Sequence, residues 1–410
     1  MKKSYILFYF LLLATVACDN DLDQFPSNIT SSDTLEDYES VLNAAYFYQH
    51  GSVTPMAVMG DFRADNALMM EPPFTEFDTY GPDLTTMDDQ FFGPFYAALY
   101  KSILSANNVI ENSTVATEVG EAKFLRALAY FKLVRVFGAV TVNLSAAPST
   151  TDESILARQP AADVYNNVII PDLEDAIAAL GTEIVDGRAS KYAAQGMLGK
   201  VYVQIGDFRS AETHLAAVVD GAAAAGISLQ ENFADIFGVN NDLNPEIIFA
   251  IQISGSVSDE YNFSEFWSWS GGLDTKSLEP LDSDLVAAFD ASEGDLRRAV
   301  TIDTATMASP KFPQTDGPDH DWIELRLADV LLLYAETLNE NGAAAEMVLD
   351  LLDPIRSRAG LAPLDPMVLN SQALVRQAIQ AERRLELAFE GQRWFDLVRT
   401  GTVDAEMGQA

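Results

Sequence analysis

The feature that most constrains the fold is a pair of helical segments joined by a two-residue turn. Residues 191–220 read KYAAQGMLGKVYVQIGDFRSAETHLAAVVD. The positions that carry the pattern are Gly199, Tyr202, Gly206, Ala211 and Leu215. Small residues let paired helices approach closely, and we expect Tyr202 and Leu215 to fill the seam between them. The segment therefore predicts a tight helix–turn–helix unit, with Gly206 and Asp207 at the turn.

These spacings are those of a tetratricopeptide repeat, and a weaker copy follows further along the chain. Residues 325–360 read LRLADVLLLYAETLNENGAAAEMVLDLLDPIRSRAG, with Ala335, Leu338 and Gly342 in analogous places. Helical units of this kind bury their apolar faces by stacking on their neighbours. The sequence thus predicts a mainly α fold, built on a tetratricopeptide-like helix-pair scaffold.

Apolar residues at helical spacing predict further helices over residues 34–48, 91–112 and 119–136. Two stretches interrupt this pattern and are expected to be long irregular insertions that face a ligand or a partner, at about 51–90 and 226–318. The first is rich in proline and aromatic residues, and the second contains one predicted strand, over residues 246–253. The predicted fold therefore has long loop insertions and only a little β-structure.

The N-terminus carries the pattern of a secretory signal. Two lysines precede an almost unbroken apolar run, YILFYFLLLATV, and small residues precede Cys18, the only cysteine of the chain. The run is short for a transmembrane helix. A cysteine directly after this junction predicts a lipoprotein signal peptide over residues 1–17, with Cys18 lipidated. The alternative is an ordinary secretory signal with an incidental cysteine. Residues 18–33 then form a polar tether, and 34–410 form the folded domain.

The composition limits the possible partners of the protein. The formal net charge is −36, so the chain should repel nucleic acid and anionic lipid headgroups. Apolar residues make up 48% of the sequence, which is enough for a core. The acidic residues are scattered and not set in calcium-loop spacing, so no metal site and no cofactor are predicted.

Five blocks occur in the order of a known family. They are EAKFLRALAYFKLVRVFG, NPEIIFAIQIS, LDSDLVAAFDASEGDLRRAV, WIELRLADVLLLYAETLNE and ERRLELAFEGQRWFDLVRTG. The last is the most specific, and the blocks follow the lipoprotein-like start. The chain therefore resembles the SusD/RagB family of outer-membrane nutrient-binding lipoproteins from Cys18 to about Gly401.

The resemblance implies a function without catalysis. Members typically capture an oligosaccharide at the cell surface and deliver it to a SusC-like TonB-dependent outer-membrane transporter, over which they sit as a hinged lid. The resemblance also implies attachment to the outer membrane through the lipid anchor. The alternative function is a tetratricopeptide-type scaffold that binds a protein or peptide ligand.

The C-terminal block is dense in charge, which raises the question of an active site. Glu390 and Arg393 are three residues apart, as are Asp396 and Arg399, so each pair can form along one helix face. We therefore expect a structural role for this block and for Arg126 and Tyr130. The same role is expected for Trp322, which is predicted to open a helix, and for Trp394 and Phe395, which are predicted to cover a helix seam.

The candidate ligand contacts lie in the segment YNFSEFWSWSGG, residues 261–272. Aromatic rings stack on the C–H face of a sugar, while polar side chains bind its hydroxyl groups. The candidates here are Tyr261, Phe266, Trp267 and Trp269. The same alternation is also typical of an edge strand whose aromatic residues pack on the core or on a partner, and that interpretation stays open. A second candidate loop, residues 62–80, carries Phe74, Phe77 and Tyr80.

An enzyme is not predicted. The sequence contains no G-x-S-x-G elbow, P-loop, H-E-x-x-H or G-x-G-x-x-G motif. Cys18 belongs to the processing site, and the three histidines, His50, His214 and His320, are far apart in sequence. No catalytic residue is therefore assigned.

Overall fold

The mainly α architecture predicted from the sequence is confirmed. The structure, a computed structural model, describes residues 37–68, 75–79, 85, 88–149, 151–253, 281–312 and 320–408. Within these ranges the α-helices, in chain order, are α1 (Glu39–Gln49), α2 (Val53–Ala57), α3 (Glu76–Thr79), α4 (Gly93–Asn112), α5 (Ala116–Phe137), α6 (Ala161–Val164), α7 (Ile170–Ala179), α8 (Lys191–Ile205), α9 (Phe208–Gly221), α10 (Ser283–Ala291), α11 (Arg298–Thr301), α12 (Leu327–Glu340), α13 (Ala345–Leu349), α14 (Asp353–Arg358), α15 (Gln372–Glu386), α16 (Arg393–Thr400) and α17 (Val403–Met407). Short 3-10 or π turns occupy His50–Ser52, Val58–Phe62, Asp88–Phe92, Glu153–Leu156, Tyr165–Ile169, Ala223–Ala225 and Phe233–Ile236.

The predicted helix pair is present as α8 and α9. Ser190 caps α8 by accepting a hydrogen bond from the Ala193 N–H at 3.1 Å, and Gly206 ends it with a φ of 78°. Only glycine adopts this left-handed conformation without strain. At Gly199 a Cβ atom would lie 2.5 Å from Leu215 Cδ2, so the absence of a side chain lets the helices approach as predicted.

Tyr202 differs from the prediction. Leu215 is fully buried in the seam, but Tyr202 is only half-buried and stacks on His214 of α9, with 5.7 Å between ring centroids. A tyrosine at this position keeps its hydroxyl group near water, because the phenol oxygen needs a hydrogen-bond partner. It therefore covers the edge of the seam and does not fill it.

The second copy begins with α12. The turn that follows α12 has the same geometry as the turn between α8 and α9. The Ala343 N–H donates to the Leu338 carbonyl at 2.9 Å, as the Asp207 N–H donates to the Tyr202 carbonyl at 2.9 Å. The partner helix of α12 is split into α13 and α14, because Pro354 starts a new helix at its first turn. The second copy therefore departs from a simple helix pair in its second half.

A buried pair of antiparallel strands packs with the helices. Strand β3 (Ile247–Ile251) pairs with β4 (Trp322–Arg326), and every residue of both strands is buried. A smaller pair joins β1 (Val140–Thr141) to β2 (Arg158–Gln159); the four strands are numbered in chain order. The prediction that Trp322 opens a helix is wrong, since pairing with β3 makes it extended and α12 begins only at Leu327.

The predicted insertions are also more regular than expected. Within 51–90, residues 53–62 form α2 and a π turn, and Val53, Met56 and Phe62 are almost fully buried. Pro55 is tolerated there because it lies in the first turn of α2, where its missing N–H has no helical partner. Within 226–318, helices α10 and α11 accompany the predicted strand.

Of the three further helices predicted from the sequence, one starts later than expected and two are confirmed. The helix expected over residues 34–48 begins at Glu39 among the described residues, while α4 and α5 agree with the predictions at 91–112 and 119–136. Gly138 ends α5 as expected, with a φ of 68°. Among the residues that the structure describes, no helix has the length and apolar character needed to cross a membrane.

Candidate ligand-binding site

Except for Phe77, the residues predicted to contact ligand fall outside the described part of the chain. These are Tyr261, Phe266, Trp267, Trp269, Phe74 and Tyr80, and the lipidation residue Cys18 also lies outside it. The structure does describe how the chain is fixed on either side of residues 254–280, which carry four of these candidates. The described part of the candidate site therefore consists of the residues that flank this segment and of the core that holds those residues.

The chain leaves β3 beside the start of β4. The backbone N–H of Ile253 donates to Oδ1 of Asp321 at 2.8 Å. Close by in sequence, the rings of Phe312 and His320 lie 6.2 Å apart in an edge-to-face arrangement. The side chain of Asp321 therefore fixes Ile253, the last described residue before 254–280.

The chain returns beside the start of the other candidate loop. The Asp282 N–H donates to the carbonyl oxygen of Asn66 at 3.1 Å, and Asp282 then caps α10. Asn66 is held in turn by Arg384, whose Nε donates to its side-chain oxygen at 3.1 Å. Arg384 Nη2 also donates to the Asp65 carbonyl at 2.6 Å. Asp282, the second described residue after 254–280, is thus hydrogen-bonded to Asn66 in the second candidate loop.

A buried turn, residues 387–391, links these two anchor points. Asp61 is fully buried and accepts hydrogen bonds from the N–H groups of Phe389, at 3.2 Å, and of Gly391. It also accepts from Asn66 Nδ2 at 3.1 Å. At Gly391, with a φ of 68°, a Cβ atom would lie 2.9 Å from the ring of Trp322, the residue after Asp321. Glycine at this position lets the turn bridge both anchors.

The turn is itself held by Arg326, at the end of β4. Its guanidinium donates to the carboxylates of Glu246, Glu386 and Glu390 at 2.7–2.8 Å, and to the Glu386 carbonyl at 2.8 Å. These contacts use all five N–H donors of the side chain. Arg326 is 1% exposed, so the pairing offsets a large desolvation cost. We call Arg326 and these three glutamates the Arg326 cluster.

Other buried cations complete the charge balance of the Arg326 cluster. Burial opposes ionisation of Glu386, but Arg358, Arg326 and Arg297 hold the pKa of its carboxyl well below the usual range. Lys311 donates to Glu390 at 2.6 Å and to the Ala388 carbonyl at 2.8 Å. The carboxylates therefore stay charged and paired, which keeps the turn in one position.

The charged C-terminal block is structural, but one of its predicted pairs is wrong. Glu390 pairs with Arg326 and Lys311, and Arg393 pairs with Asp65 at 2.6 Å, because the turn at 387–391 separates Glu390 from α16. The predicted pair of Asp396 and Arg399 is confirmed at 2.8 Å.

The aromatic and polar residues that were predicted to be structural are buried or paired within the protein. Phe395 is buried, and the guanidinium of Arg63 lies 4.2 Å from the centroid of Trp394. Arg126 is buried against Asp172, with donor–acceptor distances of 2.7 and 2.8 Å. The hydroxyl group of Tyr130 donates to the Asn143 carbonyl at 3.0 Å.

Phe77 of the second candidate loop lies in the core. It is 3% exposed and packs edge-to-face on Phe91, with 5.7 Å between centroids. Its interpretation as a ligand contact is therefore wrong.

The sequence did not single out Asp61, Asn66, Asp282 and Asp321, because an isolated polar residue in a loop gives no periodic signal.

A cavity of about 500 Å³ lies between α10, α15 and α16. Its charged wall is already paired. Arg384 and Arg393 both bind Asp65, and Arg383 binds Asp329 at 2.7 Å. The cavity therefore has no unpaired arginine to attract an anion.

Among the residues that the structure describes, no group of three or more His, Cys, Asp or Glu side chains is placed to hold a metal ion.

Comparison with known proteins identifies the class of the chain. The model of the SusD family matches residues 297–410, and a related model, described as starch-binding associating with outer membrane, matches residues 16–203. SusD-like protein P2 of Formosa agariphila is 26% identical over 97% of this chain and 91% of its own length.

Solved structures share the fold. A laminarin-binding SusD-like protein superimposes with a TM-score of 0.74 at 23% identity, over 91% of this chain and 92% of its own. A crystal structure with xylogluco-oligosaccharide gives 0.73 at 22% identity, over 90% and 84%. The fold thus defines a helical-repeat protein of the SusD type. The two family models match separate parts of the chain, and the predicted resemblance to the SusD/RagB family is confirmed.

The buried role of Arg326 leads to a stability prediction. Arg326→Met should lower the free energy of unfolding by about 3–5 kcal/mol, because it leaves buried carboxylates without their shared cation. The matched control is Arg298→Met, which breaks a pair with Asp290 whose side chains are 38% and 58% exposed. This control should cost less than about 1 kcal/mol. Urea unfolding followed by circular dichroism measures both, and equal losses would contradict the assignment.

The anchor at Asp321 leads to a prediction about pH. Burial raises the pKa of Asp321 to about 7, with a smaller contribution from Asp242, against the hydrogen bond from Ile253. The folded state therefore holds a proton that the unfolded state has lost between about pH 4 and 7, so this carboxyl contributes stability that decreases as pH rises through that range.

Asp321→Asn keeps an acceptor for the Ile253 N–H and removes the titration. The stability of this variant relative to the wild type should therefore rise between pH 4 and pH 7, by an amount on the order of 3 kcal/mol. Urea unfolding at several pH values checks this. A constant difference across the range would show that Asp321 does not titrate there.

Proposed function

We propose that the protein is a cell-surface binding lipoprotein that captures an oligosaccharide and delivers it, without catalysis, to a SusC-like TonB-dependent outer-membrane transporter. The match to the SusD family model supports the class, and the description of the other matching model as starch-binding associating with outer membrane supports the location. The laminarin-binding and xylogluco-oligosaccharide structures support a glycan as the ligand. The protein acts by binding the sugar and holding it for transfer.

The observation that carries the proposal is the attachment of residues 254–280. This segment contains Trp267 and Trp269, and its two flanks are fixed by Ile253 to Asp321 and by Asp282 to Asn66. A binding loop gains affinity when its ends are held in advance, because less conformational entropy is lost on binding. The Arg326 cluster provides that rigid base.

The aromatic residues of this segment make the proposal testable. Replacing Trp267 and Trp269 together by alanine should weaken oligosaccharide binding at least about tenfold, because each ring contributes stacking on a sugar face. The matched control replaces both by phenylalanine, which keeps an aromatic face and should retain most of the affinity. Isothermal titration calorimetry with laminarin and xyloglucan oligosaccharides measures both variants.

A double alanine variant that binds every tested glycan as the wild type does would contradict the assignment of this loop. A scaffold that binds only a protein or peptide would show no glycan binding in any variant. Purification of the complex from native membranes tests the transporter partner independently of the ligand. The proposal requires a large barrel protein to co-purify with the chain.

The membrane anchor is proposed to be the lipidated Cys18, after removal of residues 1–17. Cys18→Ser should abolish labelling by radioactive palmitate and release the protein from the membrane fraction, because the anchor depends on acyl chains on this residue. Thr15→Leu, which changes a neighbouring position and leaves the cysteine in place, should keep both properties. A serine variant that remains lipid-labelled and membrane-bound would overturn the anchor assignment.

A further inference from the structure

A second, smaller cavity lies away from the charged cavity described above. It has a volume of about 200 Å³ and is enclosed by α1, the end of β3 and the turn at residues 186–188. The volume corresponds to about seven water molecules at ~30 Å³ each, which is room for one sugar ring. The residues that line it are Asn43, Tyr46, Gln49, His50, Asp186, Gly187, Arg188, Phe249, Ala250, Ile251 and Gln252.

The floor of the cavity is buried and fixed. Gln49 is 1% exposed and donates from Nε2 to Ser102 Oγ at 2.9 Å and to the Leu125 carbonyl at 3.3 Å. Beside it, burial lowers the pKa of His50, so its imidazole is neutral at pH 7. Phe249 supplies an apolar surface. These bonds hold the floor in one arrangement.

The rim is polar, and its side chains are held in place by one another. Arg188 donates from Nε to Glu121 at 2.6 Å and from Nη1 to Asn43 Oδ1 at 2.5 Å, and its guanidinium lies 4.7 Å from the ring centroid of Tyr46. Gln252 donates from Nε2 to the Asp186 carbonyl at 2.7 Å. These bonds fix the side chains without using all of their polar atoms.

Four polar groups of the rim remain unpaired within the described residues. They are Asn43 Nδ2, Arg188 Nη2, Gln252 Oε1 and the Asp186 carboxylate. Two are donors and two are acceptors. Neighbouring hydroxyl groups of a sugar each donate and accept, so this set matches them. Glu121 already neutralises Arg188, and the Asp186 carboxylate disfavours an anionic ligand.

We infer that this cavity is a binding subsite for a single neutral sugar unit, separate from the aromatic segment. The choice of ligand class rests on the proposed function. Gln252, on the rim, directly precedes Ile253, the first anchor of residues 254–280. The subsite contributes hydrogen bonds from a rigid pocket, whereas the proposed contribution of Trp267 and Trp269 is stacking.

The test uses the detergent-solubilised full chain and saturation-transfer NMR with glucose, galactose, mannose, xylose and glycerol as probes. Asn43→Trp places a large side chain in the cavity and should reduce the sugar signal at least tenfold. Ser40→Trp, an exposed position on the same helix that does not line the cavity, should leave it unchanged. Gln252→Ala, also at an exposed position, should weaken the signal several-fold.

The same measurement on the double alanine variant of Trp267 and Trp269 separates the two sites. A sugar signal that persists in this variant and disappears in Asn43→Trp supports the subsite. No signal from any probe with the wild type, or an undiminished signal in both Asn43→Trp and Gln252→Ala, overturns it. If the subsite is overturned in this way, the proposed function still stands, provided that oligosaccharide binding is lost when the two tryptophans are removed.

Discussion

The structure depends on one buried guanidinium. Arg326 is surrounded by three carboxylates from two distant parts of the sequence, and all five of its N–H donors are used. A buried cation tolerates little displacement of its partners, because each lost contact leaves a charge without water or a counterion. The end of β4, the residue before β3 and the turn after α15 must therefore meet in one geometry. That geometry also sets Asp61, which holds Asn66 beside one flank of the candidate ligand segment, and the approach of Gly391 to Trp322 beside the other.

Local patterns in the sequence predicted the regular parts of this arrangement. The spacing of small and apolar residues predicted α8 and α9, and Gly206 marked their turn, because these features act over a few neighbouring residues. The C-terminal block was expected to be structural, yet its partners were partly wrong. The prediction treated Glu390 as part of a helix, whereas Phe389 and Gly391 have positive φ values of 66° and 68°. A phenylalanine in that conformation is held by surrounding contacts, which the sequence does not display.

The remaining differences have the same origin in long-range packing. Trp322 lies before a helical pattern, but pairing with β3 makes it a strand residue, and the apolar segment 53–62 is buried despite its proline. For the candidate site, composition identified aromatic residues in a polar segment. It gave no indication of the anchors, since the bonds from Ile253 to Asp321 and from Asp282 to Asn66 join residues far apart in sequence.

The placement of the basic residues also bears on the class of ligand. The chain has 25 lysines and arginines against 61 acidic residues, and Lys132, Arg297, Lys311 and Arg326 are at most 1% exposed. Because these cations are paired inside the protein, they contribute little to the field outside it, which is set by the surface acids. An anionic ligand would meet repulsion that varies with salt, whereas a neutral glycan is unaffected by it. Stacking and hydrogen bonding on a fixed base therefore suit this protein, and salt should change its affinity for a neutral sugar very little.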